Sequence, residues 1–221
     1  MSSKLQEHIH PRQPGRGPQP ALRGFKNVNR YWDRSHGCYA AKLLPGDYYI
    51  TTHDEIIVTT LGSCISACIR DRIFGIGGMN HFMLPRQSLF VDNWSNTRLS
   101  LANRYGSNAM ENLINDILKN GGERKNLEVK LFGGGKILAQ MTDIGRNNIE
   151  FIKQYIATEG LNLIAEDLGG VHPRKIVYFP LTGKVRVKKL RSLQNQTIIE
   201  RESRYLQDIQ SGPISGDIEL F

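Results

Sequence analysis

From residue 48 onwards, short apolar runs separated by turn residues follow one another, and this pattern restricts the chain to a strand-rich fold. Ile50 and the β-branched residues 56–58 begin the series, after a turn at Gly46 and Asp47. Further strands are predicted over 66–71, 76–83, 127–132 and 161–165, with a hairpin over 175–179 and 184–188 around Thr182 and Gly183. A short helix that begins at Cys64 is an alternative to the strand over 66–71.

Two helical patterns interrupt the strands. Ser107 or Asn108 can cap a helix that ends at the glycines 121 and 122. A second pattern has apolar residues 149, 152, 155 and 156 on one face and ends at Gly160. Strands and helices together predict a single mixed domain of the α/β class (α+β type), over residues 45–203.

The two ends differ in composition from this domain. Four prolines within residues 11–20 and a lack of apolar periodicity predict a disordered N-terminal arm over residues 1–44. Residues 1–45 hold eight Lys or Arg against two acidic residues, which is +6 of the net +8. The predicted domain is therefore nearly neutral, and we do not expect a nucleic-acid-binding module. Glycine, proline and serine predict a C-terminal tail over residues 204–221.

We expect the protein in the cytoplasm and not inserted in a membrane. No apolar run approaches the roughly 20 residues that span a bilayer, and the polar N-terminus lacks the apolar segment of a secretory signal. Three cysteines are too few for a disulfide framework in a chain of this length, so we expect reduced thiols.

Cys64 is the strongest candidate for a nucleophile. It follows a strand, Gly62 and the small Ser63, a sequence that can form a tight turn with backbone N–H groups beside the thiol. A thiol needs a base or a positive environment to become nucleophilic, and His81 lies in a second glycine-preceded strand. Two adjacent strands would bring His81 against Cys64. From the residues alone, both side chains can equally be core groups.

Two other kinds of site are not expected. Cys64, Cys68 and His81 have spacings that suit zinc, but no fourth ligand lies nearby, so we expect no metal. Three glycines before Lys136 lack the following Ser or Thr of a phosphate-binding loop, so we expect no nucleotide cofactor.

The motifs resemble those of the chemoreceptor glutamine deamidases, the CheD family. The resemblance is carried by residues 59–71, 77–85, 131–135, 144–148, 165–170 and 182–185, in this order along the chain. It therefore extends over nearly the whole predicted domain. It implies the fold of some bacterial toxin deamidases, in which packed β-sheets are flanked by helices.

The resemblance also implies a catalytic triad and partners. Cys64 would be the nucleophile, His81 the base, and Thr59 the group that orients the imidazole, with Thr60 as the alternative. The substrates would be glutamine side chains of methyl-accepting chemotaxis receptors, and a CheC-type phosphatase would be a further partner. A non-catalytic chemotaxis adaptor that binds receptors or such a phosphatase is the competing interpretation.

Overall fold

The computed structural model describes residues 17–85, 95–137, 142–190 and 195–211. Within these residues, the strands form two five-stranded sheets of mixed direction. The strand order is β1-β2-β4-β9-β10 in the first sheet and β3-β6-β5-β7-β8 in the second. The strands are β1 Asn29–Asp33, β2 Cys38–Lys42, β3 Tyr48–Thr51, β4 Glu55–Leu61, β5 Ile65–Asp71, β6 Gly77–Asn80, β7 Leu127–Gly133, β8 Asn162–Leu168, β9 Arg174–Phe179 and β10 Lys184–Lys189.

Three helices accompany the sheets among the described residues: α1 Ser95–Lys119, α2 Thr142–Thr158 and α3 Asn195–Ser211. The first packs against β3, β5 and β6, and the second against β5 and β8, so both lie on the second sheet. One buried core joins side chains of both sheets with those of α1 and α2, for example Ile57, Ile69, Leu113 and Ile152. This α+β architecture confirms the predicted fold class.

Several predicted elements are present. The segment after Cys64 is a strand rather than a helix, because β5 pairs antiparallel with β6 on one side and β7 on the other. The predicted hairpin is formed by β9 and β10, which pair antiparallel around the turn at Thr182 and Gly183.

The N-terminal boundary at residue 45 is wrong. Residues 29–42, which belong to the predicted arm, form β1 and β2, and β2 pairs in parallel with β4 of the first sheet. Arg30, one of the eight basic residues of that segment, donates to the buried Glu55 at 2.8 and 3.0 Å. The basic composition gives no sign of these two short strands, which pair with each other and, through β2, with β4. Residues 1–16 of the predicted arm lie outside the described residues.

The predicted start of α1 is also wrong. Neither Ser107 nor Asn108 caps a helix, since the helix begins at Ser95 and runs through both. The glycine before them, Gly106, lies inside the same helix, and a Cβ there would be 2.4 Å from the Phe151 ring. This glycine therefore allows α1 and α2 to approach closely rather than marking the end of an element.

The predicted C-terminal tail begins too early. Residues 195–211 form α3, which the sequence patterns do not predict, and its Ile198, Glu202 and Leu206 are buried. These three residues are four apart, so they lie on one face of the helix. Residues 212–221 lie outside the described residues.

Candidate active site

The chain crosses from the first sheet to the second through the three residues 62–64, which we call the nucleophile loop. It connects the end of β4 to the start of β5, and Cys64 and Ser63 are both buried. A turn between two packed sheets is anchored by a strand at each end, so the position of the thiol is determined by both sheets.

Each of the three carbonyl groups of the nucleophile loop accepts a hydrogen bond from a different residue. The Gly135 N–H donates to the Gly62 carbonyl at 2.7 Å, and the Gly134 N–H donates to the Cys64 carbonyl at 2.8 Å. The Ser63 carbonyl accepts a bond of 2.9 Å from Nδ2 of Asn148, a fully buried residue of α2. Because each carbonyl shares a rigid peptide plane with the N–H of the next residue, these bonds hold the N–H groups of Ser63 and Cys64 in place.

His81 reaches the thiol by extending the line of β6. Backbone bonds of 2.9 Å in both directions join Ile65 and Phe82 as an antiparallel pair. The residues before them, Cys64 and His81, therefore lie diagonally across this pair with their side chains on the same face. The Gly46 N–H donates to the His81 carbonyl at 2.7 Å, and the His81 N–H donates to the Asp47 carbonyl at 2.9 Å. The histidine backbone is therefore fixed on both sides.

A threonine hydroxyl determines the tautomer of His81. Oγ1 of Thr59 donates to the Leu43 carbonyl at 3.0 Å and lies 2.8 Å from Nδ1 of His81. Because the hydroxyl proton is used on Leu43, Nδ1 must carry the proton of the second bond. The basic lone pair of the imidazole is then on Nε2, which is buried without a hydrogen-bond partner among the described residues.

The structure distinguishes Thr59 from Thr60 as the residue that contacts His81. Successive side chains of a strand point to opposite faces, and the hydroxyl of Thr59 is the one in contact with His81. Thr60 is partly exposed. The contact supports the preference for Thr59 over its neighbour.

Glu202 of α3 enters the same site, and no sequence motif indicates it. Its Oε1 accepts from the Gly62 N–H at 2.7 Å and from the Cys64 N–H at 3.4 Å. Its Oε2 accepts from the Ser63 N–H at 2.8 Å and from the Ser63 hydroxyl at 2.6 Å. The carboxylate therefore occupies the point on which the N–H groups of the nucleophile loop converge.

Burial keeps both reactive groups neutral in this arrangement. It raises the pKa of the Cys64 thiol well above its usual value, and the Glu202 carboxylate raises it further. Burial, and to a lesser extent the positive charge of Arg201, lowers the pKa of His81 to about 3. A neutral thiol therefore faces a neutral imidazole while Glu202 is in place.

Among the described residues, Cys64, His81 and Glu202 form a group that could hold a metal ion, with one ligand atom from each within 4.8 Å of the others. Both carboxylate oxygens already accept bonds from the nucleophile loop, however, so the hydrogen bonds account for the position of Glu202 without an ion. Cys68, the other cysteine of the zinc spacing, does not belong to this group. It is a buried residue of β5, and burial raises its pKa.

Sequence reasoning did not predict the residues that bond the carbonyls of the nucleophile loop, nor Glu202, which accepts bonds from its N–H groups. Asn148 and the glycines 134 and 135 stand in motifs that the resemblance includes, but nothing in their spacing indicates that they hold a turn 70 or more positions earlier in the chain. The side chain of Asn80, next to His81, bonds the backbone of Ala67 and Ala109. The only local signal for Glu202 is the helical spacing of its apolar neighbours.

A buried thiol, an imidazole oriented by a hydroxyl and a cluster of backbone N–H groups form the arrangement of a cysteine hydrolase. Residues 83–189 match the family described as CheD chemotactic sensory transduction. A probable chemoreceptor glutamine deamidase CheD of Halorhodospira halophila is 56% identical over 90% of this chain and 93% of its own length. The corresponding proteins of Hahella chejuensis and Saccharophagus degradans are 48% and 51% identical, each over 92% of this chain and over 97% and 94% of their own lengths. The chain belongs to the CheD chemoreceptor glutamine deamidase family.

Among solved structures, a Neisseria meningitidis protein of the DUF152 family matches 62% of this chain and 66% of its own at a TM-score of 0.38 and 10% identity. Within the described residues, no helix has the length and apolar character needed to cross a membrane.

Proposed function

We propose that this protein hydrolyses the side-chain amide of glutamine residues in methyl-accepting chemotaxis receptors, giving glutamate and ammonia. One observation carries the assignment of the site. The Thr59 hydroxyl orients His81 so that Nε2 is basic, a ring nitrogen of His81 and the sulfur of Cys64 lie within 4.8 Å, and three N–H groups converge beside them.

The first half of the reaction forms a thioester. Nε2 of His81 takes the thiol proton, and the sulfur of Cys64 attacks the carboxamide carbon of the substrate glutamine. The carbonyl oxygen becomes an oxyanion, which accepts hydrogen bonds from the N–H groups of the nucleophile loop. The protonated imidazole gives its proton to the amide nitrogen, the C–N bond breaks, and ammonia leaves.

The second half releases the product. His81 accepts a proton from water, the resulting hydroxide attacks the thioester carbon, and the same N–H groups stabilise the second oxyanion. The C–S bond breaks, the thiolate recovers its proton from the His81 imidazolium, and the carboxylic acid that forms releases its proton to solvent to give glutamate. Each turnover consumes one water molecule and changes a neutral side chain into an anion.

Thr59 has a positioning role in this scheme. Its hydroxyl holds Nδ1–H and thereby keeps Nε2 unprotonated and directed to the thiol. A neutral hydroxyl stabilises imidazolium less than a carboxylate would, so the site favours a histidine that is neutral except during the proton transfers.

The reaction also needs a cellular compartment, and the protein a further partner. The mechanism needs Cys64 as a free thiol, so we assign the reaction to the cytoplasm, where thiols remain reduced. We also include a CheC-type phosphatase as a partner, on the resemblance of the motifs. Co-purification of a CheC-type protein with this chain tests that partnership, and a mixture that elutes as two separate species contradicts it.

Receptor cytoplasmic fragments incubated with the enzyme test the activity. Intact mass should rise by about one mass unit for each glutamine converted, with one ammonia released per conversion. Cys64→Ala should lower the rate at least about a thousandfold, and His81→Ala at least about a hundredfold, while thermal unfolding shows that both variants fold. A folded enzyme that releases no ammonia from any receptor would instead favour the adaptor interpretation.

Matched threonine variants test the third position. Thr59→Val keeps the shape but removes the hydroxyl, and should lower kcat about tenfold to a hundredfold, while Thr59→Ser should restore most of it. Thr60→Val serves as the control and should leave kcat near the native value. A larger loss in Thr60→Val than in Thr59→Val would assign the role to Thr60.

A further inference from the structure

The carboxylate of Glu202 occupies the place that the reaction requires for a substrate. A glutamine about to be attacked must put its carboxamide beside the sulfur of Cys64 with its oxygen on the N–H groups of the nucleophile loop. Glu202 offers a side chain of the same length, and its two oxygens accept four bonds of 2.6–3.4 Å from Gly62, Ser63 and Cys64. Its side chain ends in the carboxylate that deamidation would produce.

We propose that α3 closes the active site as an intramolecular product analogue, with Glu202 in the glutamyl subsite, and that the substrate glutamine enters this subsite after α3 has left. This inference rests on the proposed deamidase function. It adds to that function a closed state in which the site is occupied by the enzyme's own side chain.

The hydrogen-bond pattern favours a carboxylate over a carboxamide in the subsite. All four groups around Glu202 donate, and both oxygens of a carboxylate accept. A glutamine would place its NH₂ group against at least one donor. The subsite therefore holds the product form well, which suits an internal inhibitor, and it accommodates the negative oxygen that develops on a glutamine during attack.

Glu202 reaches the site from within an intact helix. It lies in the middle of α3, and Ile198 and Leu206, four residues before and after it, are buried on the same face. A side chain can thus reach Cys64 without the backbone leaving the helical conformation.

Closure by α3 also explains the neutral state of the two reactive groups. The thiol is buried, and the Glu202 carboxylate beside it disfavours the thiolate. Departure of α3 would remove that charge and admit water and substrate. Both changes favour the proton transfer from Cys64 to His81.

A pair of glutamate variants of the full chain tests the closure. Glu202→Ala should raise the rate of Cys64 alkylation by iodoacetamide, and the rate of receptor deamidation, at least about tenfold. Glu200→Ala is the matched control, because it removes the same charge from an exposed position of the same helix, and both rates should stay near native. Both measurements include a chelator, so that removal of a metal ion does not account for a difference. A folded Glu202→Ala enzyme with an unchanged or lower rate of alkylation would overturn the proposal.

A second variant tests the subsite and does not depend on the first one folding. Glu202→Gln preserves the shape of the side chain and turns α3 into a potential substrate. The purified chain should gain about one mass unit in a reaction whose rate constant does not depend on protein concentration, with glutamate found at position 202 by peptide mapping. The same substitution combined with Cys64→Ala should keep its glutamine.

The two proposals can fail separately in this experiment. If Glu202→Gln deamidates receptor fragments while the glutamine introduced into its own α3 persists, the placement of α3 as a substrate analogue is overturned and the deamidase function stands. If none of the variants with Cys64 releases ammonia from either source, the proposed function is overturned and this inference with it.

Discussion

The nucleophile loop and α3 meet at the same four hydrogen bonds but are held in place very differently. Each carbonyl of the loop is bonded to a separate buried partner, from the segment after β7 or from α2, and the loop is continuous with a strand at each end. The active-site contacts of α3 are those of one carboxylate. Near it, the Tyr205 hydroxyl bonds that of Tyr105.

This difference indicates which part of the site is permanent. Moving the loop would break bonds to several elements of the core at once, whereas moving α3 breaks the contacts of one face of one helix. The loop therefore behaves as preorganised machinery, and α3 as the part that can exchange with a substrate. Changes in the two regions should have opposite effects on activity.

Gly133→Ala should have the largest effect, because it breaks the support of the loop. Gly133 has a φ of 114°, and a Cβ there would lie 2.0 Å from the Cys64 carbonyl oxygen. We expect a loss of at least about 3 kcal/mol in the free energy of urea unfolding, and a loss of activity per folded molecule of at least about a hundredfold.

Gly121→Ala is the matched control for this change. Gly121 has a φ of 102°, and a Cβ at this position would meet nothing within 4 Å, so the variant tests the backbone cost without the clash. It should lose about 1–2 kcal/mol and keep its activity. Equal losses in the two variants would contradict a close fit between Gly133 and the nucleophile loop.

The next effect is a dependence of stability on pH that comes from His81. Its pKa is about 3 in the folded protein, whereas an unfolded histidine has a pKa of about 6.5. Between these values the unfolded chain binds more protons, so stability is complete above about pH 6.5 and falls as the pH is lowered, by at most about 1.4 kcal/mol per unit.

Urea unfolding at about pH 6.5 and about pH 4.5 measures this dependence, with His81→Gln as the comparison. The native protein should lose about 2 kcal/mol more than the variant between the two conditions. Asp33 and Asp71, whose carboxyl pKa values are lowered, should contribute only below this range. Parallel losses in the two proteins would show that His81 is not held neutral by burial.

Asn148→Ala should have a smaller effect on stability and a separate effect on catalysis. The change leaves the Ser63 carbonyl and the Leu84 N–H without their buried partner, which costs about 2 kcal/mol of stability. The Cys64 N–H lies in the same peptide plane as the Ser63 carbonyl and then moves more freely, so kcat should fall about tenfold. Asn126→Ala, a buried amide beside Asp71, is the control and should lose stability but keep kcat. A loss of stability alone in Asn148→Ala would mean that the loop needs no such support.

The smallest effect should be a faster alkylation of Cys64, and it is expected from a change in α3. Tyr205→Phe keeps the ring that packs near Gly46 but removes the hydroxyl bond to Tyr105. A loss of about 1 kcal/mol in the docking of α3 should raise the rate of Cys64 alkylation a few-fold. Tyr155→Phe removes a hydroxyl from α2 and should leave this rate unchanged. A slower rate in Tyr205→Phe would contradict the division between a permanent loop and an exchangeable helix.

The sequence determined the elements whose signal is local. The hairpin of β9 and β10, the strands β5 and β7, and the ends of α1 and α2 all follow from patterns within a few residues, because turn glycines and side-chain periodicity act at short range. The same patterns placed Cys64 after a strand and a glycine and His81 in a neighbouring strand. The family resemblance indicated that the two belong together.

Tertiary structure decided everything that depends on a distant partner. The strands β1 and β2 are part of the first sheet because β2 pairs with β4. Gly106 lies within α1, where the lack of a side chain leaves room for the ring of Phe151. Adjacent side chains of β4 face opposite sides of the sheet, and of the two threonines it is Thr59 whose hydroxyl faces His81. Glu202 lies about 140 positions after the loop that it fills, and a bond between such distant residues has no signature in either local sequence, since only the packed fold brings them together.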